Sequence, residues 1–247
     1  MSRRFVAGES LDDFVGAARE ARGQGLDVTG NYLGEAVAVP GRAAAAARVY
    51  GRLRNEGLDV NVSVKPIQMG MDISGSVLLE NIGALLAKAR QASAFVRFNM
   101  ESPVYTDRTL ELVRTLWDQG HRTIGVVLQA CLRRTARDLE ELLGMGISVR
   151  LCKGAYVEPL EIAFQGAARV RKSFCELMAT LLREGREPAV ATHNEALIRD
   201  GLDFARTNGI APARFELQLL YGVRRDLQKE LVRRGDRVRV YIPFGVN

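Results

Sequence analysis

Two cationic side chains, Arg150 and Lys153, stand at the end of an apolar run and are followed by Gly154. A strand alternates its side chains between two faces, so Arg150 shares a face with Cys152, and Lys153 shares the other face with Leu151. Gly154 allows a sharp turn or a close approach of the backbone to a ligand. Buried cations are costly unless an anionic group offsets them, and a phosphate, a carboxylate or an electron-rich ring would do so. An ordinary strand end, with both cations in water or paired with acids, is the alternative.

Polar side chains also end most of the other strands that the sequence predicts. Each has an ordinary explanation when taken singly, such as an ion-paired Lys65, a satisfied amide at Gln129 or a structural hydrogen bond at His193. If the strands form a barrel, their carboxyl ends meet at one mouth, where active sites lie. Together the set predicts a mouth of positive potential with several amides, suited to an anionic ligand with a polar ring. Its members are Asn31, Glu35, Lys65, Asn99, Glu101, Gln129, Arg150, Lys153, His193, Asn194, Tyr221 and Tyr241.

The elements that would position these residues alternate along the chain. A helix at about residues 10–24, capped by Ser10, comes first, and roughly eight strands then alternate with helices. Alternation of this kind predicts an α/β protein with a parallel sheet. Eight units in 247 residues favour a (β/α)8 TIM-type barrel. An open doubly wound sheet is the alternative, but it would be expected to carry a G-x-G-x-x-G or Walker A motif, and neither is present.

Several boundaries within this pattern are specific predictions. The alanine-rich residues 42–55 predict a helix. A strand is predicted over residues 94–101, and Thr106 or Asp107 is predicted to cap the helix that follows. A long helix is predicted from about residue 159 to residue 184. No linker or low-complexity segment interrupts the chain, so residues 1–247 are predicted to form a single domain.

Composition excludes several classes of function. The formal net charge is +6, yet the basic residues are spread along the chain with no basic run that interleaves aromatics, so nucleic-acid binding is not favoured. Three cysteines without metal-type spacing and only two histidines predict no metal site and a reduced, intracellular protein. No apolar run is long enough to span a bilayer, and the first residues carry no signal-peptide core.

A series of short motifs lies at successive strand exits. They are Leu-Gly-Glu at 33–35, Asn-Val-Ser-Val-Lys at 61–65, Val-Val-Leu-Gln at 126–129, the run at 150–156, Ala-Thr-His-Asn at 191–194, the run from Phe-Glu-Leu-Gln to Tyr-Gly at 215–222, and Tyr-Ile-Pro-Phe-Gly at 241–245. In this order, over about residues 5–245, they resemble proline dehydrogenase, the flavin-dependent (β/α)8-barrel enzyme family of proline catabolism.

The resemblance implies oxidation of L-proline, or a related cyclic amino acid, to pyrroline-5-carboxylate by hydride transfer to N5 of FAD. It also implies a quinone or other electron acceptor, a cytoplasmic location and peripheral contact with the inner face of the membrane. A cation near the flavin would stabilise its anionic reduced form. The implied catalytic residues are Arg150 and Asn99. The implied FAD-binding residues are Met100, Gln129, Arg150, Lys153, Gly154, Ala155, Thr192 and His193. The implied substrate-facing residues are Lys65, which would pair with the carboxylate, Tyr241 and Glu35.

The sequence departs from the family pattern at three places. Asn31 and Asn99 stand where the family usually has Asp, which leaves the neighbouring cations without negative partners. The sequence also stops at Asn247, before the helix that in the family caps the mouth and supplies an Arg-Arg pair for the substrate carboxylate. The expectation is therefore a barrel whose final helix is missing, a Glu35 without its partner and weakened substrate binding.

Two other functions stay open from the residues. The chain could be a non-catalytic flavin-binding homologue, or a divergent one that acts on another cyclic amine. It could also be an unrelated phosphate-binding barrel, an isomerase or aldolase, in which Lys65 or Lys153 forms a Schiff base.

Overall fold

A computed structural model describes residues 5–33, 52, 56–58, 60–154 and 158–245 of the chain. Eight parallel strands close into a barrel in chain order, with β1 beside β8. The strands are β1 Asp27–Tyr32, β2 Val60–Val64, β3 Val96–Phe98, β4 Ile124–Gln129, β5 Ser148–Cys152, β6 Ala189–Ala191, β7 Glu216–Leu220 and β8 Val238–Phe244. The helices are α1 Leu11–Gly23, α2 Gly75–Gln91, α3 Thr106–Asp118, α4 Thr135–Met145, α5 Ala167–Glu184, α6 Glu195–Thr207 and α7 Arg225–Arg233. The predicted (β/α)8 barrel is confirmed.

Helix α1 covers the seam where the barrel closes. Ser10 caps it, because the Ser10 hydroxyl accepts from the backbone of Asp13 and the Asp13 carboxylate accepts from the backbone of Ser10. Phe14 stacks on Phe244 of β8 with ring centroids 4.6 Å apart. Gly30 of β1 makes room for this ring, since a Cβ there would lie 2.6 Å from Phe14. The N-terminal helix predicted from Ser10 is therefore confirmed, and it packs against both β1 and β8.

Strand alternation sorts the barrel into an apolar outer face and a polar interior. Outward residues such as Val62, Val126 and Leu151 are buried beneath the helices. Inward residues include Arg97, whose side chain lies over Gly125 of the next strand. A Cβ on Gly125 would lie 2.6 Å from Nη1 of Arg97, so the glycine leaves space for the guanidinium. The interior is thus filled partly by charged groups rather than by the branched aliphatics that dominate most such barrels.

Several predicted boundaries are wrong. Helix α5 begins at Ala167 rather than near 159, because residues ahead of it form an antiparallel bridge, Leu132 with Ala163, and Gly166 takes φ +81°. Strand β3 spans only Val96–Phe98 instead of 94–101. Thr106 is the first residue of α3 rather than its cap, because a 3-10 turn, Pro103–Tyr105, leads into the helix. The helix predicted over 42–55 lies outside the described residues except for position 52, and Glu35 and Ala155 also lie outside them.

Candidate active site

Arg150 lies at the centre of the site. It projects from β5 into the barrel and is 8% exposed. Its Nη2 donates to Oδ1 of Asn99 at 2.5 Å, and its Nη1 donates to Oε1 of Gln218 at 3.3 Å. Its guanidinium lies 5.2 Å from the ring centroid of Tyr241. Burial lowers the pKa of Arg150, but a guanidinium stays charged at neutral pH.

Asn99 joins three of the predicted mouth residues into one cluster. Its Oδ1 accepts a second hydrogen bond, from the hydroxyl of Ser63 at 2.6 Å. Its Nδ2 lies 3.3 Å from the hydroxyl oxygen of Tyr241. These partners of Arg150 are neutral, so the cation is held by dipoles and keeps its positive potential at the mouth. A carboxylate at position 99 would have cancelled part of that potential.

A buried hydrogen-bond network supports Arg150 from below. Gln218 donates to the carboxylate of Glu216, and Nε of Arg239 donates to that carboxylate at 2.9 Å. Nη1 of Arg239 donates to the carbonyl of Val28 at 2.8 Å, which anchors the network to β1. All three side chains are nearly fully buried. Arg150 is therefore fixed from two sides, by Asn99 and by Gln218.

A second buried cation, Arg97, lies near Arg150. It donates to the backbone carbonyl of Ser148 at 2.9 Å and to the Ser148 hydroxyl at 3.2 Å. Burial, followed by repulsion from Arg150, lowers the pKa of Arg97 to about 9. Two buried guanidinium groups thus contribute positive potential inside the barrel.

Hydrogen bonds from its amide nitrogen hold the side chain of Gln129 in place and leave its amide oxygen able to accept from a ligand. Its Nε2 donates to the carbonyls of Glu101 at 2.9 Å and Met100 at 3.3 Å. Its own backbone carbonyl accepts from the hydroxyl of Thr135 at 2.6 Å. Oε1 accepts a weak hydrogen bond from the Cys131 thiol at 3.9 Å. Gln129 can therefore accept a hydrogen bond from an N–H group of a ligand.

Lys65 follows β2 and pairs with an acid of the neighbouring strand exit. Its Nζ lies 3.9 Å from Oε2 of Glu101, and a quarter of its side chain is exposed. An ammonium has three donors, so Lys65 can keep this partner and still bind a carboxylate. Its predicted substrate role stays a prediction. Asn31, at the exit of β1, is 2% exposed, and its Oδ1 has no hydrogen-bond partner among the described residues.

A cavity of about 360 Å³ opens beside the exits of β5 and β6. Its walls include Lys153, Gly154, Arg171 and Asn194. Gly154 has φ +99°, and a Cβ there would lie 2.2 Å from Sγ of Cys131, so only glycine fits. The cavity has the size of a small-molecule site and combines cations with backbone at close range.

The exit of β6 carries the predicted Thr192 and His193 to the same region. The Thr192 hydroxyl accepts from the backbone N–H of Asn194, whose side chain caps α6. Nε2 of His193 accepts from the backbone N–H of Leu220 at 2.8 Å. Burial, and then the nearby cations, lower the pKa of His193, so the neutral ring carries its proton on Nδ1 and can donate it.

The structure adds two residues to the predicted site, Ser63 and Gln218. Both contact Arg150 directly, Ser63 at 3.4 Å. Strand periodicity could have indicated Ser63, because it lies two positions before Lys65 on the same face. It could not have indicated Gln218 in this way, because the predicted residue at the exit of β7, Tyr221, lies three positions further on. Nothing in the sequence alone showed that these faces meet at Arg150.

A closed parallel barrel with a cation-lined mouth at its strand exits is the architecture of a (β/α)8-barrel enzyme. The family model described as proline dehydrogenase matches residues 14–247. A proline dehydrogenase of Deinococcus radiodurans is 36% identical over 99% of this chain and 82% of that protein. Proline dehydrogenase 1 of Bacillus subtilis (strain 168) is 32% identical over 100% of this chain and 82% of that protein.

Solved structures agree with this assignment. Proline utilization A from Bdellovibrio bacteriovorus, inactivated by N-propargylglycine, superposes with a TM-score of 0.88 at 25% identity. The chain is covered completely and spans 31% of that longer protein. Proline utilization A from Corynebacterium freiburgense, at 22% identity and a TM-score of 0.83, shares the fold.

The chain therefore belongs to the proline dehydrogenase family and is an oxidoreductase of that family. The resemblance inferred from the motifs is confirmed. Within the described residues, no helix combines the length and apolar character needed to cross a membrane.

Proposed function

We propose that this protein binds FAD at the barrel mouth and oxidises L-proline, or a closely related cyclic amino acid, to pyrroline-5-carboxylate. The observation that carries the proposal is Arg150, a buried cation that neutral partners hold inside the barrel, in a chain of this family. Such a cation favours a ligand that gains negative charge during the reaction.

The residues present fit a flavin dinucleotide. Donors of Arg150 and the acceptor oxygen of Gln129 suit the polar edge of a flavin ring, whose atoms both donate and accept. The cavity beside Lys153 and Gly154 suits the nucleotide half, because it offers a cation and a glycine backbone to phosphates. Met100, Ala155, Thr192 and His193 are proposed to complete the cofactor site. A bound flavin supplies the hydride acceptor.

The chain's own residues would orient the substrate and disfavour its positively charged ammonium form. Lys65 would bind the carboxylate while keeping Glu101, and Tyr241 would form the wall opposite. We also propose that Glu35 contacts the substrate. The positive potential of Arg150 and Arg97 disfavours an ammonium, so the amine is bound neutral and no separate base is required.

The first test is the visible absorbance of the purified protein, followed by anaerobic addition of proline. We expect a flavin band that bleaches. Lys65→Met should keep the flavin band but slow bleaching at low proline concentration, while the matched control Lys172→Met should behave like wild type because Lys172 is 78% exposed on α5. If Lys65→Met and Lys172→Met bleach at the same rate at low proline concentration, Lys65 does not bind the substrate.

The identity of the cofactor is tested by releasing it with denaturant and separating it by chromatography. FAD is expected, since the cavity provides a site for the second nucleotide. Release of FMN alone would contradict the assignment of the cavity to the nucleotide half of FAD. A protein that contains no flavin and takes up none when FAD is added would contradict the proposed function.

We further propose that a quinone accepts the electrons and that the mouth touches the membrane surface from the cytoplasmic side. Ile73 and Val104 support this, being 62% and 76% exposed on loops that follow β2 and β3, and these loops are tied by a Tyr105 to Asp72 hydrogen bond of 2.9 Å. Reoxidation by a soluble quinone, and vesicle binding lost on Ile73→Asp with Val104→Asp, are the expected results. Reoxidation by oxygen alone and unchanged vesicle binding would contradict them.

A further inference from the structure

Residues 158–165, which lie between β5 and α5, form one wall of the cavity beside Lys153 and Gly154. We call this segment the strap. The other lining residues come from neighbouring strand exits and helices, so a ligand in the cavity would lie between the strap and the barrel. The strap residues at the cavity are Glu158, Ala163, Phe164 and Gln165.

The strap has few apolar anchors. Ala163 packs with Cys131 and Leu132 in a small buried cluster that is separate from the main core. Its two large aliphatic side chains, Leu160 and Ile162, are 51% and 41% exposed. A segment attached to a satellite cluster of this size opens at a lower free energy than the core does.

Polar contacts with the loop between β4 and α4 hold the strap, and most of them involve Arg133. The backbone N–H of Arg133 donates to the carbonyl of Ile162 at 2.9 Å, and the N–H of Phe164 donates to the carbonyl of Cys131 at 2.7 Å. Nε of Arg133 donates to the carbonyl of Leu160 at 2.9 Å. The Arg133 guanidinium also lies 4.8 Å from the centroid of the Phe164 ring.

The side chain of Arg133 is therefore directed at the strap. Both of its side-chain contacts go to strap residues, and among the described residues no carboxylate pairs with its guanidinium. A planar guanidinium can donate from Nε while its face contacts an aromatic ring, a combination that an ammonium cannot reproduce. Arg133 does not itself line the cavity, so any effect on a ligand must act through the strap.

We propose that Arg133 is a positioning residue that keeps the strap closed over the cavity, and that opening of the strap sets how fast a ligand enters and leaves. The inference rests on the proposed function for the ligand, which is the nucleotide half of FAD. It assigns to this chain a control of cofactor exchange that is separate from the binding contacts and from the reaction.

This arrangement changes both directions of exchange equally. The ligand passes only while the strap is open, so the rates of uptake and of release are both proportional to the open fraction. Arg133→Met removes the donor to Leu160 and the contact with Phe164 but keeps an aliphatic side chain. The open fraction should rise about tenfold, the effect of one hydrogen bond from a charged group. The Kd for FAD should stay within about threefold, because both rates change together.

The first test measures strap opening by hydrogen exchange in the protein as purified, whether or not it carries flavin. The reporter is the Phe164 amide, whose hydrogen bond to Cys131 joins the strap to the neighbouring loop. Its exchange should be about tenfold faster in Arg133→Met, with exchange in β4 and α5 unchanged. Arg137→Met is the matched control, because Arg137 is exposed on α4. Equal exchange of the Phe164 amide in the two variants would overturn the proposal.

The second test measures flavin exchange. Release from the loaded protein and uptake by the flavin-free protein should both be about tenfold faster in Arg133→Met, with kcat at saturating FAD within about twofold. Arg133→Lys keeps the charge but loses the planar fork, so its rates should lie between those of wild type and Arg133→Met. Faster release with unchanged uptake would make Arg133 a direct contact of the ligand and would contradict a role through the strap.

The two experiments separate the inference from the proposed function. A protein that contains no flavin and takes up none would refute the proposed function, and the exchange of the Phe164 amide would then decide the inference alone. A flavin-loaded enzyme that bleaches with proline, but whose flavin exchange rates Arg133→Met leaves unchanged, would overturn the inference while the proposed function stands.

Discussion

Replacing Gly154 by alanine tests the packing of the cofactor side of the mouth. The new Cβ would lie 2.2 Å from Sγ of Cys131 and 3.1 Å from Oε1 of Gln129, at a backbone φ of +99°. Relieving the sulfur clash should cost about 1–3 kcal/mol, the usual range for overpacking a filled site. The positive φ adds about 1–2 kcal/mol for any residue with a Cβ. We therefore expect Gly154→Ala to lower the free energy of unfolding by about 2–5 kcal/mol.

Two variants separate these contributions. Gly209→Ala is the matched control, because Gly209 has φ +67° and open space where its Cβ would lie, so it should lose only about 1–2 kcal/mol. Cys131→Ala removes the sulfur, and in that background Gly154→Ala should fall to a similar cost. The assay is urea unfolding followed by circular dichroism, with flavin content measured in parallel because the shifted Gln129 should weaken flavin retention. An equal cost of Gly154→Ala with and without Cys131 would refute the proposed steric cause.

Three further predictions concern stability. Glu216→Gln removes the buried carboxylate that accepts from Nε of Arg239 and leaves Asp27, 3.4 Å from Nη2, as the charged partner of that guanidinium. It should destabilise the fold by about 1–3 kcal/mol in urea unfolding, the cost of a lost hydrogen bond to a charged group, whereas an unchanged free energy of unfolding would mean that the network relaxes freely. Burial lowers the pKa of His193 from 6.5 in the folded protein, so the stability that this residue contributes is present above pH 6.5 and is lost as the pH falls below it. His193→Gln should therefore flatten the dependence of the unfolding free energy on pH below 6.5. An unchanged slope would contradict the assignment. Ser10→Ala should cost about 1 kcal/mol by removing the cap shared with Asp13, and thermal unfolding that matches wild type would show that the cap contributes nothing.

The fold was predictable because each strand and each helix carries its own local pattern. Residues 60–64 alternate β-branched and polar side chains, and Ser10 begins α1 with a complete capping box. The start of α5 was predicted wrongly because the preceding residues are polar and helix-compatible, while a tertiary bridge to Leu132 and the positive φ of Gly166 decide their conformation. Periodicity cannot detect a pairing of that kind.

The candidate site was predictable as a set of residues but not as a set of contacts. Strand exits indicated that Arg150, Asn99 and Tyr241 would share the mouth, and the structure brings them together. The Gln218 contact depends on the stagger between β5 and β7, which are not neighbours in the barrel. Which oxygen or nitrogen of Asn99 faces which partner depends on distances that no single strand pattern contains.

The polar interior of the barrel follows from the burial of one cation, Arg150, at the position where it can act on a ligand. Arg150 must be buried to influence a ligand in a region of low dielectric, and a buried cation needs partners for its donors. The groups that accept from Arg150 are buried as well, so they also need hydrogen-bond partners. Gln218 therefore donates to Glu216, Glu216 accepts from Arg239, and Arg239 donates to a backbone carbonyl of β1. We expect replacement of both Glu216 and Arg239 by aliphatic residues of similar volume to leave the stability of the fold unchanged or higher. The replacement would leave Gln218 free to rotate, and Arg150 would be held only from the Asn99 side. The same substitution should therefore reduce activity while preserving stability. A network whose role is to position Arg150 predicts this loss of activity without a loss of stability.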